Sequence, residues 1–169
     1  MKYFPLLYRL QAEQRYLIWK SDEQDSVAVD AEGFVPSFRD LISLRKYAEL
    51  NHYRLESQVP VLHDLEWVAT WEVAPTPQVD CEKTLAAWNL FRDVAGSIPN
   101  QRITLKLDSQ LLWPICDKLF WGNNLPAMTP KGERYVPAWS PDELRYLAEV
   151  LTAGLDFFVS CIRSWPREP

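Results

Sequence analysis

Apolar and polar positions follow two different periods along this chain, and the change of period divides it. Through residues 1–36 the aromatic and β-branched runs Tyr3 to Leu10, Arg15 to Lys20 and Ser26 to Val29 are separated by short polar stretches. That pattern predicts strands joined by sharp turns at Gln11-Ala12-Glu13-Gln14 and at the acidic Ser21-Asp22-Glu23-Gln24-Asp25, with another short strand at Phe34-Val35 after Gly33. An antiparallel meander is the simplest way to connect them.

From Ser37 the spacing becomes helical. Ser37 is the candidate N-cap of a first helix whose stripe is Leu41, Leu44, Tyr47 and Ala48 and which runs to about His52. Arg54-Leu55-Glu56 reads as a last strand, and Asp64 as the cap of a short helix carrying Leu65, Val68 and Ala69 that ends before Pro75 and Pro77. Asp80 caps a further helix with Leu85, Trp88, Phe91 and Ala95 at spacings of three or four, ending near Gly96. Ile103, Leu105 and Leu107 alternate with polar residues, so Asn100 to Ser109 reads as a strand, and Gln110 to Phe120 as a helix before the turn residues Gly122-Asn123-Asn124. In the last helix Ser140-Pro141-Asp142-Glu143 forms a capping box ahead of a stripe from Leu144 to Ile162. The expected fold is α+β in a single domain spanning 1–169, strand-rich over 1–36 and mainly helical over 37–169. An N-terminal antiparallel meander packs there against four to five helices.

Composition narrows the classes of function. At 169 residues and 47% apolar the chain can bury one core without staples. Its 23 acidic against 18 basic residues disfavour a nucleic-acid binder that depends on counterion release. No run nears the ~18 consecutive apolar residues of a membrane span. The N-terminal apolar run is broken by Pro5 and closed by Arg9, unlike a signal sequence. Cys81, Cys116 and Cys161 are odd in number and far apart, which suits a reducing compartment; the cytoplasm is the expectation.

The familiar catalytic signatures are absent: there is no G-x-G-x-x-G, P-loop, G-x-S-x-G or H-E-x-x-H, and Cys and His do not occur at metal-ligand spacing. No cofactor and no metal is expected. A nucleophilic site would have to pair one of the cysteines with His52 or His63 and an acid such as Asp64, against the plainer reading of Cys116 and Cys161 as buried helix-stripe residues. The paired carboxylates Asp80/Glu82 and Asp142/Glu143 fall in first helical turns, where the helix dipole accounts for them.

Charge is unevenly distributed. Between Arg54 and Lys83 no base occurs, while Glu56, Asp64, Glu66, Glu72, Asp80 and Glu82 do; between Lys20 and Arg39 the same holds for Asp22, Glu23, Asp25, Asp30 and Glu32. These windows are either a solvated acidic surface or an acidic face for a basic protein partner. Trp67 and Trp71, four apart within the first window, share a helical face and are either core or interface anchors. The candidate binding residues are therefore Glu56, Asp64, Glu66, Trp67, Trp71 and Glu72, with Asp22, Glu23 and Asp25 as the second cluster. The aromatic segment Leu111 to Pro126 is read as core packing, with a ligand cleft using Asn123 and Asn124 as the alternative.

The succession Tyr3-Phe4-Pro5-Leu6-Leu7-Tyr8, Phe38-Arg39-Asp40-Leu41, His63-Asp64-Leu65-Glu66-Trp67, Ala87-Trp88-Asn89-Leu90-Phe91 and Asp117-Lys118-Leu119-Phe120-Trp121-Gly122-Asn123-Asn124-Leu125-Pro126 resembles small bacterial immunity proteins. These are encoded beside polymorphic or contact-dependent growth-inhibition toxins. The resemblance implies a cytoplasmic, non-enzymatic protein that neutralises one toxin C-terminal domain, of a basic nuclease type, by binding over its active site or surface; the acidic balance and the lack of an apolar span leave neither nucleic acid nor membrane as an expected partner. It assigns no site residues, because the class spans many folds. A small Cys/His enzyme and a homo-oligomeric structural domain burying a Trp-rich surface are the competing readings.

Overall fold

A computed structural model describes residues 1–73, 78–98 and 112–166. Within them the order is β1 (Lys2–Leu10), β2 (Glu13–Ser21), β3 (Ser26–Val27), β4 (Val35–Phe38), α1 (Leu41–Leu50), β5 (Leu62–Asp64), α2 (Glu66–Val73), α3 (Cys81–Ser97), α4 (Trp113–Gly122), α5 (Pro141–Cys161) and β6 (Ile162–Trp165). The strand expected over 100–109 lies outside the described residues, as do Pro75, Pro77 and Leu111.

The α+β class holds, but the sheet is mixed rather than a pure antiparallel meander. Its order is β5-β1-β2-β4-β6, with β3 added on β2. The β1–β2 hairpin and the β2–β4 pair are antiparallel, whereas β1–β5 and β4–β6 are parallel. Parallel partners need long connections, and both late strands arrive after helical segments. Both therefore fall in the part of the chain read as mainly helical. Leu55 of the expected 54–56 strand makes only an isolated bridge with Tyr3; the strand proper is the later Leu62–Asp64.

Alternation along β2 divides the core in two. Leu17 faces the larger cluster, which draws on α2, α3, α4 and α5 around Trp88, Phe91, Leu151 and Phe158. Ile18 faces the smaller one, where Leu44, Tyr47 and Ala48 of α1 pack with Phe38. The sheet thus lies between α1 on one face and the other helices on the opposite face, as side-chain alternation requires.

Helix ends follow local chemistry, with two corrections: Asp64 ends β5 rather than capping the short helix, which starts at Glu66 and so leaves Leu65 outside it. Asp40, not Ser37, caps α1 by accepting from the Ser43 amide, and Ser37 is a fully buried strand residue. Asp80 caps α3, and Ser140 and Glu143 form the full capping box of α5. In the stripes, Ala69 is exposed, Leu85 and Ala95 are half-buried, and Ile162 has left α5 for β6. The hairpin turn is tighter than expected: only Gln11 and Ala12 connect β1 to β2, with φ of 53° and 61°. Two positive φ angles are what a type I′ turn demands, usually from Asn-Gly.

Candidate functional site

The nine predicted binding residues do not form one face. Glu56 donates its amide to the Tyr3 carbonyl, and Asp22 sits 3.7 Å from the Met1 amino group, so both lie at the Met1 end of the β1–β2 hairpin. Asp64 and Glu66 lie at the other end: Asp64 forms a bidentate pair with Arg9, and the Glu66 carboxylate accepts from the Ala12 amide in the turn. The eight steps from Lys2 to Leu10 separate these ends by about 27 Å. The window that is continuous in sequence is split because the chain between Glu56 and Leu62 travels along the β1 edge.

The two ends also differ in what their acids do. Asp64 is held below the usual carboxylate range, first by its hydrogen bond from Arg9, and it accepts from the Glu66 amide at 3.2 Å. Both Asp64 and Glu66 are occupied inside the fold. At the Met1 end, Glu23, Asp25 and Glu56 are exposed and, among the described residues, in no ion pair. Lys2 and Lys20 share these strands; Lys20 is half-buried, and burial lowers its pKa.

Trp67 and Trp71 do share a face of α2, their rings T-shaped with centroids 6.0 Å apart. Both are half-buried and packed against the larger core cluster. The Trp67 Nε1 is itself buried and without a partner among the described residues. Glu72 belongs to the same helix, but its side chain is not among those described.

Of the groups considered for a nucleophilic site, His63 and Asp64 point apart. His63 pairs with Tyr8 across the β1–β5 ladder and Asp64 with Arg9, so the two neighbours face opposite sides of the sheet. Burial lowers the His63 pKa and raises the thiols of Cys81, Cys116 and Cys161, the reverse of thiolate activation. Cys81 and Cys161 are buried, Cys116 half-buried. Among the described residues no group of His, Cys, Asp and Glu is arranged to hold a metal ion. The paired carboxylates have structural partners: Asp142 with Arg145, and Glu143 with Lys118 at 2.6 Å.

The most developed polar site is one that sequence reasoning passed over. Arg15 reaches from β2 across the β4–β6 pair: its Nε donates to Ser37 Oγ at 2.9 Å, and its Nη2 to Ser164 Oγ at 2.8 Å and to the Ser37 carbonyl at 3.3 Å. Tyr8 completes the network with a 2.7 Å bond between its hydroxyl and Ser37 Oγ. Alternation carried the signal, since Arg15 shares its parity with Leu17 and Trp19 and must point to the inner face. Asp93 was also missed: it is a buried acid on α3 that accepts from Trp19 Nε1 at 3.1 Å, and burial raises its pKa. Within the Leu111–Pro126 segment Trp113, Trp121 and Leu125 are exposed while Leu112, Ile115 and Leu119 are buried, so the aromatic segment is only partly core.

No protein-family model and no curated protein matches this sequence. One solved structure is similar in fold, the C-terminal domain of SatS in complex with bromine. It superposes at a TM-score of 0.61 over 96% of this chain and 93% of that chain, at 14% identity. This distant likeness is one of architecture alone. The resemblance to immunity proteins receives no support from sequence comparison. No described helix is long and apolar enough to cross a membrane.

Proposed function

We propose that the protein is a cytoplasmic, non-enzymatic immunity protein that binds and neutralises the C-terminal domain of a cognate basic toxin. The observation that carries this reading is the set of carboxylates at the Met1 end of the hairpin. Asp22, Glu23 and Asp25 lie in the turn between β2 and β3, Glu56 follows the Tyr3–Leu55 bridge at the same end of β1, and three of the four are in no ion pair among the described residues. Acids already bound inside the fold, such as Asp64, contribute little to a partner's affinity. Exposed ones steer a basic surface and raise the association rate. The docking residues are therefore the Asp22–Asp25 turn and Glu56, with Asp64, Glu66, Trp67 and Trp71 supporting the scaffold. Inhibition would come from occlusion of the toxin's active surface, with no chemical step by this chain.

The test is binding of the C-terminal domain of the protein encoded immediately upstream, measured with wild type and with the Asp22→Lys/Glu23→Lys/Asp25→Lys variant. Wild type should bind and protect cells from that domain, and the variant should associate more slowly. A wild-type protein that neither binds the domain nor protects the cells overturns the reading.

A further inference from the structure

A groove opens where β2 outruns its neighbours. The β2–β4 ladder is a single pair, Tyr16 with Phe38, so Glu13, Gln14 and Arg15 continue past the end of β4. They line a groove of about 560 Å³ together with Arg39 and Ser164. It shares Glu13, Arg15 and Ser164 with a recess of about 190 Å³ whose other walls include Leu10, Val159 and Ile162. The groove is within the size range of small-ligand pockets, and the smaller, open recess beside it adds three aliphatic side chains to the arginines.

The guanidinium of Arg15 is fixed before any ligand arrives. Four of its five N–H groups are engaged, three of them by Ser37 and Ser164, which lock its plane. The fourth, on Nη1, reaches the Glu13 carboxylate at 3.3 Å, while the Glu13 side chain is 67% exposed. This outward edge of Arg15 therefore already carries a largely exposed carboxylate, held among the described residues by one contact at 3.3 Å. The Arg39 side chain also lines this groove.

We propose that this groove binds a carboxylate attached to a small aliphatic body. The ligand carboxylate takes the place of Glu13 on Arg15 Nη1 and faces Arg39, and the aliphatic part enters the recess beside Leu10, Val159 and Ile162. Arginine suits this role because it is always charged and its other N–H groups, held by Ser37 and Ser164, fix the direction of Nη1, which offers a single-nitrogen charge-assisted hydrogen bond. The same chemistry is offered by a free branched-chain acid and by a polypeptide chain ending in an aliphatic residue.

The test is isothermal titration of the full chain with N-acetylleucine, N-acetylleucinamide and inorganic phosphate. N-acetylleucine should bind and the other two should not. Arg39→Gln should weaken its binding about tenfold, and Glu13→Gln, which removes the resident competitor, should tighten it. Circular dichroism establishes that both variants are folded. Absence of N-acetylleucine binding at about 10 mM, equal binding of the amide, binding of phosphate alone, or an affinity unmoved by either substitution overturns the proposal. Comparing 4-methylpentanoate with a pentapeptide ending in a free leucine carboxylate then tells a free acid from a chain terminus, and tighter binding of either supports the site.

Discussion

Replacing Arg15 by alanine should weaken the junction between β2 and the β4–β6 pair. Between β2 and β4 the backbone ladder supplies one pair, so the Arg15 side chain does much of the joining, through Ser37 on β4 and Ser164 on β6. Hydrogen bonds from a charged donor contribute about 1.5–3 kcal/mol each, and two of these, at 2.9 and 2.8 Å, have good geometry. The Arg15 side chain is 20% exposed, so water replaces few of them in the folded state. Ser37 keeps its bond to Tyr8 when Arg15 is lost, which limits the cost of leaving a fully buried hydroxyl alone. Together these set the expected loss for Arg15→Ala at about 2–4 kcal/mol. Arg15→Lys, which offers a point charge without the fork, should lose about half as much. Urea denaturation gives the numbers, and a double-mutant cycle with Ser164→Ala should show a coupling of about 0.5–1.5 kcal/mol. An Arg15→Ala variant within about 0.5 kcal/mol of wild type would refute the idea that this side chain joins the sheet.

Three further outcomes are expected. Gln11→Asn with Ala12→Gly suits the positive φ of both turn residues and should raise stability by about 1 kcal/mol in the same denaturation assay. In Gly154→Ala the new Cβ would come within 2.9 Å of Cγ and 3.1 Å of Cβ of the fully buried Phe91; a loss of about 1–3 kcal/mol should follow despite alanine's better helix propensity. Asp93→Asn tests linkage: burial raises the folded-state pKa of Asp93, so its ionised form costs stability at neutral pH, and that cost fades as pH falls through the raised value. The amide still accepts from Trp19, so denaturation midpoints should show the variant more stable at pH 7 and level with wild type in acid; a less stable variant at pH 7 contradicts this.

How much was legible in the sequence follows from how local each signal is. The capping box at Ser140, the Asp80 cap and the alternation of the hairpin are written within a few neighbouring residues, and the structure reproduces them. The strands β5 and β6 are three and four residues long and exist because distant β1 and β4 supply their partners. Ile162 continues the apolar period of α5, so nothing nearby announces that the chain becomes extended there. Ser37 looked like a cap because serine often is one; its real partners, Tyr8 and Arg15, lie 29 and 22 residues away. The acidic window misled for a related reason: closeness in sequence from Glu56 to Glu66 became opposite ends of a strand pair. Glu66 stabilises a hairpin turn that alanine disfavours at φ 61°, a role visible only once that turn is known.

The proposal of a toxin-neutralising surface at the Met1 end of the hairpin is tested most directly by association kinetics. Stopped-flow rates with the upstream-encoded toxin domain would be measured across a range of ionic strength, for wild type and for the Asp22→Lys/Glu23→Lys/Asp25→Lys variant. Exposed charges are screened beyond ~8 Å at physiological salt, so the wild-type rate should fall steeply as salt rises. The variant should start slower and respond less. A wild-type rate that stays flat from low to high salt, or one that the three reversals leave unchanged, would contradict the account.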